Sequence, residues 1–218
     1  VSVATSTVLA ATLLPWVAGK FAALHPGIRF VLKDVAEQEI RARVKAGDVD
    51  LGIGTTLEAD PETTEVPLLE DSLTAVCGER HPLAERGAVT WRELAEHPLI
   101  LLGRGSPLRA LQDQAVASVG GRVEPAFEVS FSSTAISMVA AGLGVAPLPV
   151  NARQVSPRVK VQVRSLVRPT VTRVVAVFQR RDVTLSPAAQ AFQQFVRDYV
   201  RLGAFPVQAG VRVRIFGE

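Results

Sequence analysis

Only one cysteine, Cys77, stands among the 218 residues, so no disulfide can close inside this chain, and a reducing compartment is the natural reading. A buried, inert thiol is the expectation for it. No apolar stretch reaches the roughly 18 to 20 residues a membrane-spanning helix needs, and the N-terminus lacks a basic segment followed by an apolar one; neither insertion nor secretion is expected. Basic residues are interspersed with acidic ones at a net charge of +3, with no Lys/Arg run long enough to form the electrostatic stripe of a duplex-binding surface. This segment alone is therefore expected to bind DNA poorly.

Catalytic signatures are missing too. There is no Gly-x-Ser-x-Gly elbow, phosphate-binding loop or paired-cysteine motif, and Gly142-x-Gly144 lacks the rest of a dinucleotide fingerprint. His25, His81 and His97 each precede a proline and show no mutual spacing suited to a metal. The expectation is a protein that is not an enzyme and carries no cofactor and no metal.

What is present is an ordinary folded composition, 48% apolar and 21% charged, in a chain long enough for one large core or two small lobes. Val1 opens directly into a strand-like pattern with no initiator methionine, which suggests that the numbering begins at an internal domain boundary. Val1–Thr5 reads as a strand, and Leu9, Leu13, Trp16, Val17, Phe21 and Leu24 then recur at helical spacing. Pro15 would break a hydrogen bond inside that helix, so a regular helix starting just before it is expected, with a kink as the alternative. Ile28, Phe30 and Leu32 alternate as a strand, Ile40 and Val44 mark a short helix closed by Gly47, and residues 50–54 form a third strand. Strand, helix, strand, helix, strand with short connections is the order of a parallel sheet with right-handed crossovers.

A second round begins with a strand at 73–77. Thr90-Trp91-Arg92-Glu93 reads as a capping box, 99–102 as a strand, and Ser106-Pro107 as the start of a helix that Gly120-Gly121 ends. Residues 124–130 form a strand, and Ser132, Ser133 and Thr134 offer caps to a helix carrying Ile136, Val139 and Ala140. Strands follow at 145–148, 159–166 and 171–179, and Ser186-Pro187 opens a closing helix with Phe192, Phe195, Val196 and Tyr199 on one face. In residues 203–218, Val211, Val213 and Ile215 alternate with polar residues, as in an edge strand or a loosely ordered tail.

Five segments in this order carry a resemblance: Leu13-Leu14-Pro15, Gly47 to Gly54, Arg80-His81-Pro82-Leu83-Ala84, Val139 to Pro149, and Leu185-Ser186-Pro187-Ala188-Ala189 with Phe192 and Phe195. Residues 1–202 resemble the effector-binding domain of LysR-type transcriptional regulators. The resemblance implies the type 2 periplasmic-binding-protein fold, α/β, with two Rossmann-like lobes of mixed, mostly parallel sheets joined by two crossover hinges near 70–73 and 166–172. Lobe I would take 1–72 and 168–202, lobe II 73–167, and 203–218 would be the tail or edge strand. Also implied are a small-molecule effector, a homodimer or tetramer, a cytoplasmic location, and contact with DNA only through an N-terminal helix-turn-helix domain absent from these residues. A transporter's solute-binding protein of the same fold is the alternative, and an enzyme on that fold would need an acid–base pair for which Glu37 is the only evident carboxylate.

In open α/β sheets, ligands sit beyond the carboxyl ends of the strands, where helix starts offer free N–H groups suited to an anion. Hydroxyls decorate three such turns: Thr5, Ser6 and Thr7; Ser106; and Ser132, Ser133 and Thr134. For each hydroxyl the plain alternative is a helix cap worth about 1 kcal/mol, the preferred reading for Ser106. By resemblance, effector contacts fall on Ser6, Thr7, Ser132, Ser133 and Thr134, while Glu37 and Gln38 replace the small hydroxyl that some members place in the second-strand loop. Glu37 would repel a simple dicarboxylate, whereas Gln38 can donate a hydrogen bond. Gly103 lies in the turn before Ser106, and Arg104 or Arg109 is a candidate anion clamp through a bidentate pair.

Overall fold

Helix starts and proline positions set the element order. In a computed structural model describing residues 1–56, 58–121, 124–203 and 214–216, β1 (Ser2–Ser6) is followed by two helices, α1 (Thr7–Thr12) and α2 (Leu14–Leu24), which meet at Leu13. Pro15 lies in the first turn of α2, where its missing N–H is not needed, and a separate short helix fills the stretch ahead of it. Then come β2 (Val31–Val35), α3 (Glu37–Lys45), β3 (Leu51–Thr56) and β4 (Thr63–Gly78). At 16 residues, β4 begins ten residues before the strand expected at 73–77. The remaining elements are β5 (Ala88–Thr90), α4 (Trp91–Ala95), β6 (Ile100–Leu102), α5 (Pro107–Ser118), β7 (Phe127–Val129), α6 (Ser132–Ala140), β8 (Ala146–Pro149), β9 (Val161–Val167), β10 (Thr172–Arg180), α7 (Pro187–Arg201) and β11 (Arg214–Ile215). Short 3-10 turns at Pro82–Glu85 and Ala152–Val155, like β5, have no counterpart in the sequence reading. Ile215 pairs with Leu69 in β11, while Val211 and Val213 lie outside the described residues.

The chain folds as two compact units, one of residues 1–70 with the described residues from 174 on, the other Asp71–Arg173. In the first, β2, β1 and β3 run parallel, and β10 joins β3 antiparallel. Period-two alternation sends Val3, Val175 and Val177 to one face of this sheet and Ala4, Ala176 and Phe178 to the other. Against the first face pack Leu13, Leu14, Val17 and Phe21, together with Phe192, Val196, Tyr199 and Val200 of α7. Phe21 meets Phe192 edge to face at 5.1 Å; burial of each such side chain contributes about 1.5–3 kcal/mol. On the second face Ile40 and Val44 of α3 press directly on β3, because a Cβ at Gly52 would stand 2.8 Å from both side chains.

In the second unit β4 pairs antiparallel with β8 and β9, β9 pairs parallel with β5, and β6 pairs parallel with β7. A parallel bridge from Leu99 to Val145 places β6 beside the start of β8. Trp91 is fully buried, its indole N–H donating to the Pro169 carbonyl at 2.9 Å. Gly144 is required by contact: at φ 153° a Cβ there would fall 2.2 Å from the Pro98 carbonyl oxygen. Asp71 and Arg173, the first and last residues of this unit, form a buried pair at 2.7 and 3.0 Å. Cys77 is buried as expected, and burial pushes its thiol pKa up.

Candidate functional site

At one edge of the first unit three parallel strands end together, Ser6 opposite Val35 and Thr5 opposite Ile53. Thr5 Oγ1 donates to the Ile53 carbonyl at 2.7 Å. Ser6 occupies the cap position of α1 in extended conformation, yet its side chain makes no cap bond, and its buried Oγ has no partner. The plain cap reading fails here. Thr7 is the first residue of α1 and half-buried. Glu37 and Gln38 do not lie in a loop: they are the first two residues of α3, capped in position by Ala36. Glu37 is buried, its Oε1 accepting the Thr55 N–H at 2.5 Å, while Gln38 is exposed. A carboxylate at a helix start is favoured by the helix dipole, by about 0.3–1 kcal/mol.

In the second unit β6 and β7 end in register, Leu102 opposite Val129, so α5 and α6 start from the same edge. Ser106 holds the cap position of α5 without a cap bond, and its Oγ is buried and unpartnered, which overturns the cap expected of it. Its backbone N–H donates to the Gly103 carbonyl at 3.2 Å. Arg104 is exposed, and its backbone N–H donates to Glu128. Arg109 is 2% exposed, with Nε on Asp113 at 2.6 Å and Nη1 on Glu128 at 2.9 Å and on the Leu102 carbonyl at 2.8 Å. A bidentate clamp is thereby excluded for Arg109, because its fork is already filled; Nη2 alone has no partner. Burial opposes the charge of Arg109, but the Asp113 and Glu128 carboxylates outweigh it and leave the pKa raised. The same contact with Arg109, joined by the Arg104 N–H, lowers the pKa of Glu128.

The cap position of α6 belongs to Phe131, whose side chain cannot cap; Ser132, Ser133 and Thr134 are the first three helical residues and not caps. Ser132 is buried and Thr134 exposed. The sequence reading named Ser106 but left it out of the site, since a serine before a helix signals a cap and nothing local tells an unused one apart.

A pocket of about 540 Å³ lies elsewhere in the second unit, where Arg80, His81, Val139, Gly142 and Lys160 line it. His81 stands 4.5 Å from His97 edge to face, and its Nδ1 accepts the Leu83 N–H at 3.2 Å. Burial, then the neighbouring His97, lowers the pKa of His81. Among the described residues no cluster of ligands could hold a metal ion, and no helix is long and apolar enough to cross a membrane.

With this geometry in view, a family profile, that of the LysR substrate binding domain, matches residues 1–201. The HTH-type transcriptional regulator YbhD of Escherichia coli (strain K12) is 30% identical over 82% of this chain, which spans 56% of that relative's own length. Among solved structures, the effector binding domain of QuiR in complex with shikimate superposes with a TM-score of 0.83 at 22% identity, covering 93% of this chain and 97% of that one. The Synechocystis PCC6803 CcmR regulatory domain in complex with 2-PG gives 0.82 at 21% identity, covering 92% and 97%. At these identities the likeness establishes the fold.

Proposed function

Since the chain belongs to the LysR substrate-binding domain family, we propose that it senses a small carboxylate-bearing effector and passes its occupancy to a DNA-binding segment of the whole regulator. The observation that carries this reading is the pair of buried, unpartnered hydroxyls, Ser6 and Ser106, each at a helix start beyond a strand end. A buried hydroxyl without a partner costs about 1–3 kcal/mol, and a ligand that satisfies it returns that energy as affinity. Beside Ser106, the free Nη2 of Arg109 adds a second donor suited to a carboxylate oxygen. Thr7, Gln38, Gly103, Ser132, Ser133 and Thr134 complete the proposed contacts, and Arg104 attracts the anion from the surface.

The effector acts only through differential affinity, binding one arrangement of the regulator more tightly than another. Relatives that are transcriptional regulators favour this reading over a transporter's solute-binding protein, and no catalytic role is assigned to the domain. Regulation of DNA also implies residence in the cytoplasm. Exposed Trp16, Leu24 and Leu32 on the first unit and Phe127 and Phe131 on the second suit contact with a second copy of the chain, giving a homodimer or tetramer, which light scattering would read.

A thermal-shift screen of small aromatic and aliphatic carboxylates tests the sensor reading. The expected result is a rise in Tm for some compounds that shrinks in Ser6→Ala and Ser106→Ala. A response unchanged in both variants would overturn the assignment of the site.

A further inference from the structure

The acid at the start of α3 narrows the chemistry of the effector, an inference that rests on the sensor reading above. Glu37 is only 9% exposed, and Oε1 is spent on the Thr55 N–H. The hydrogen bond of Glu37 is made through Oε1, and Oε2 takes no part in it. Gly54 makes room for this carboxylate, since a Cβ there would lie 3.1 Å from Oε1. On the neighbouring strand, Ser6 pairs with Val35, two residues before Glu37, and carries its own buried and unpartnered hydroxyl. The strand ends of the first unit therefore carry a carboxylate oxygen not engaged by the protein and a buried hydroxyl without a partner. A second carboxylate placed there would face like charge at a largely buried acid.

We propose that the carboxylate-bearing effector of the reading above also carries an ammonium group, and that Glu37 Oε2 and Ser6 Oγ in the first unit receive it. Three N–H donors on a compact cation match two open acceptors, and the charge of Glu37 is neutralised on binding. Glu37 thus selects amino-bearing acids over plain ones.

Matched pairs test this by isothermal titration calorimetry on the intact chain: benzoate against 4-(aminomethyl)benzoate, and propanoate against β-alanine. The expected result is an amino-bearing member bound at least about tenfold more tightly than its partner, a difference of about 1.4 kcal/mol. Glu37→Gln keeps an oxygen for the Thr55 N–H but loses the charge, and should bring the preference below about threefold; Glu37→Thr serves as a second variant if the first unfolds. Tighter binding of the amine-free members, or a preference that survives both substitutions, overturns the inference. Failure of the underlying sensor reading looks different: Ser6→Ala and Ser106→Ala would then bind every compound as the unmodified chain does.

Discussion

Two sets of helix starts carry the same sequence signal and end differently. Ahead of α4, Thr90 Oγ1 accepts the Glu93 N–H at 3.2 Å while Glu93 Oε2 accepts the Thr90 N–H at 2.8 Å, and ahead of α7, Ser186 Oγ accepts the Ala189 N–H at 3.2 Å. Ser6 and Ser106 have the extended backbone a cap requires, with ψ of 154° and 132°, yet their hydroxyls make no bond. At α5 the difference lies in what secures the helix. Hydroxyl caps hold the starts of α4 and α7, whereas α5 is braced by Arg109, which reaches Asp113, Glu128 and the Leu102 carbonyl from its first turn. A start braced in this way can leave its serine unsatisfied.

The largest break in that comparison should come at the brace. Arg109→Ala removes a buried charge, its packing and the partner of the Leu102 carbonyl, and should cost about 3 kcal/mol in urea unfolding. The partial exposure of Asp113 and Glu128 keeps the loss from being larger. A loss under about 1 kcal/mol would show that α5 is held by something else. Next come the working caps: Thr90→Ala should lose about 1–2 kcal/mol and Ser186→Ala about 1 kcal/mol, measured in the same way.

Ser6→Ala and Ser106→Ala should leave unliganded stability within about 0.5 kcal/mol of the unmodified chain, or raise it, since each deletes a hydroxyl that has no bond to lose. If either costs as much as Thr90→Ala, the two kinds of start are the same and the comparison fails. The smallest effect is in pH. The N–H and hydroxyl of Thr90 hold the pKa of Glu93 below its ordinary value of 4.5. The folded state thus binds this proton less readily than the unfolded chain does, so the contribution is complete above about 4.5 and is lost as pH falls through the lower folded value. Acid titration of stability should show this slope in the unmodified chain and less of it in Thr90→Ala.

Much of the fold was legible in local pattern. The 3.6-residue spacing of Phe192, Val196 and Tyr199 marked α7, and Thr90 with Glu93 marked the capping box, because both signals are complete within a few residues. The length of β4 was not legible, since its first half pairs in one unit and its second half in the other, and pairing partners are distant in sequence. Glu37 and Gln38 read as loop residues because α3 starts at Glu37 behind Ala36, whose side chain cannot cap and so does not announce the helix. Arg109 reads in the sequence as a candidate anion clamp; its burial and its pairing with Glu128, 19 residues away, are revealed by no periodicity.

By itself, the sequence determined which segments are helix and strand, through the spacing of apolar residues, the positions of Pro15, Pro107 and Pro187, and the glycines at 52, 54 and 144, where close packing leaves no space for a side chain. Only the tertiary structure decided which hydroxyls became caps and which stayed unpartnered, and which oxygen of Glu37 stayed open. Local propensity depends on neighbours along the chain, whereas the partners of a buried polar atom are chosen by whatever packing brings against it from elsewhere.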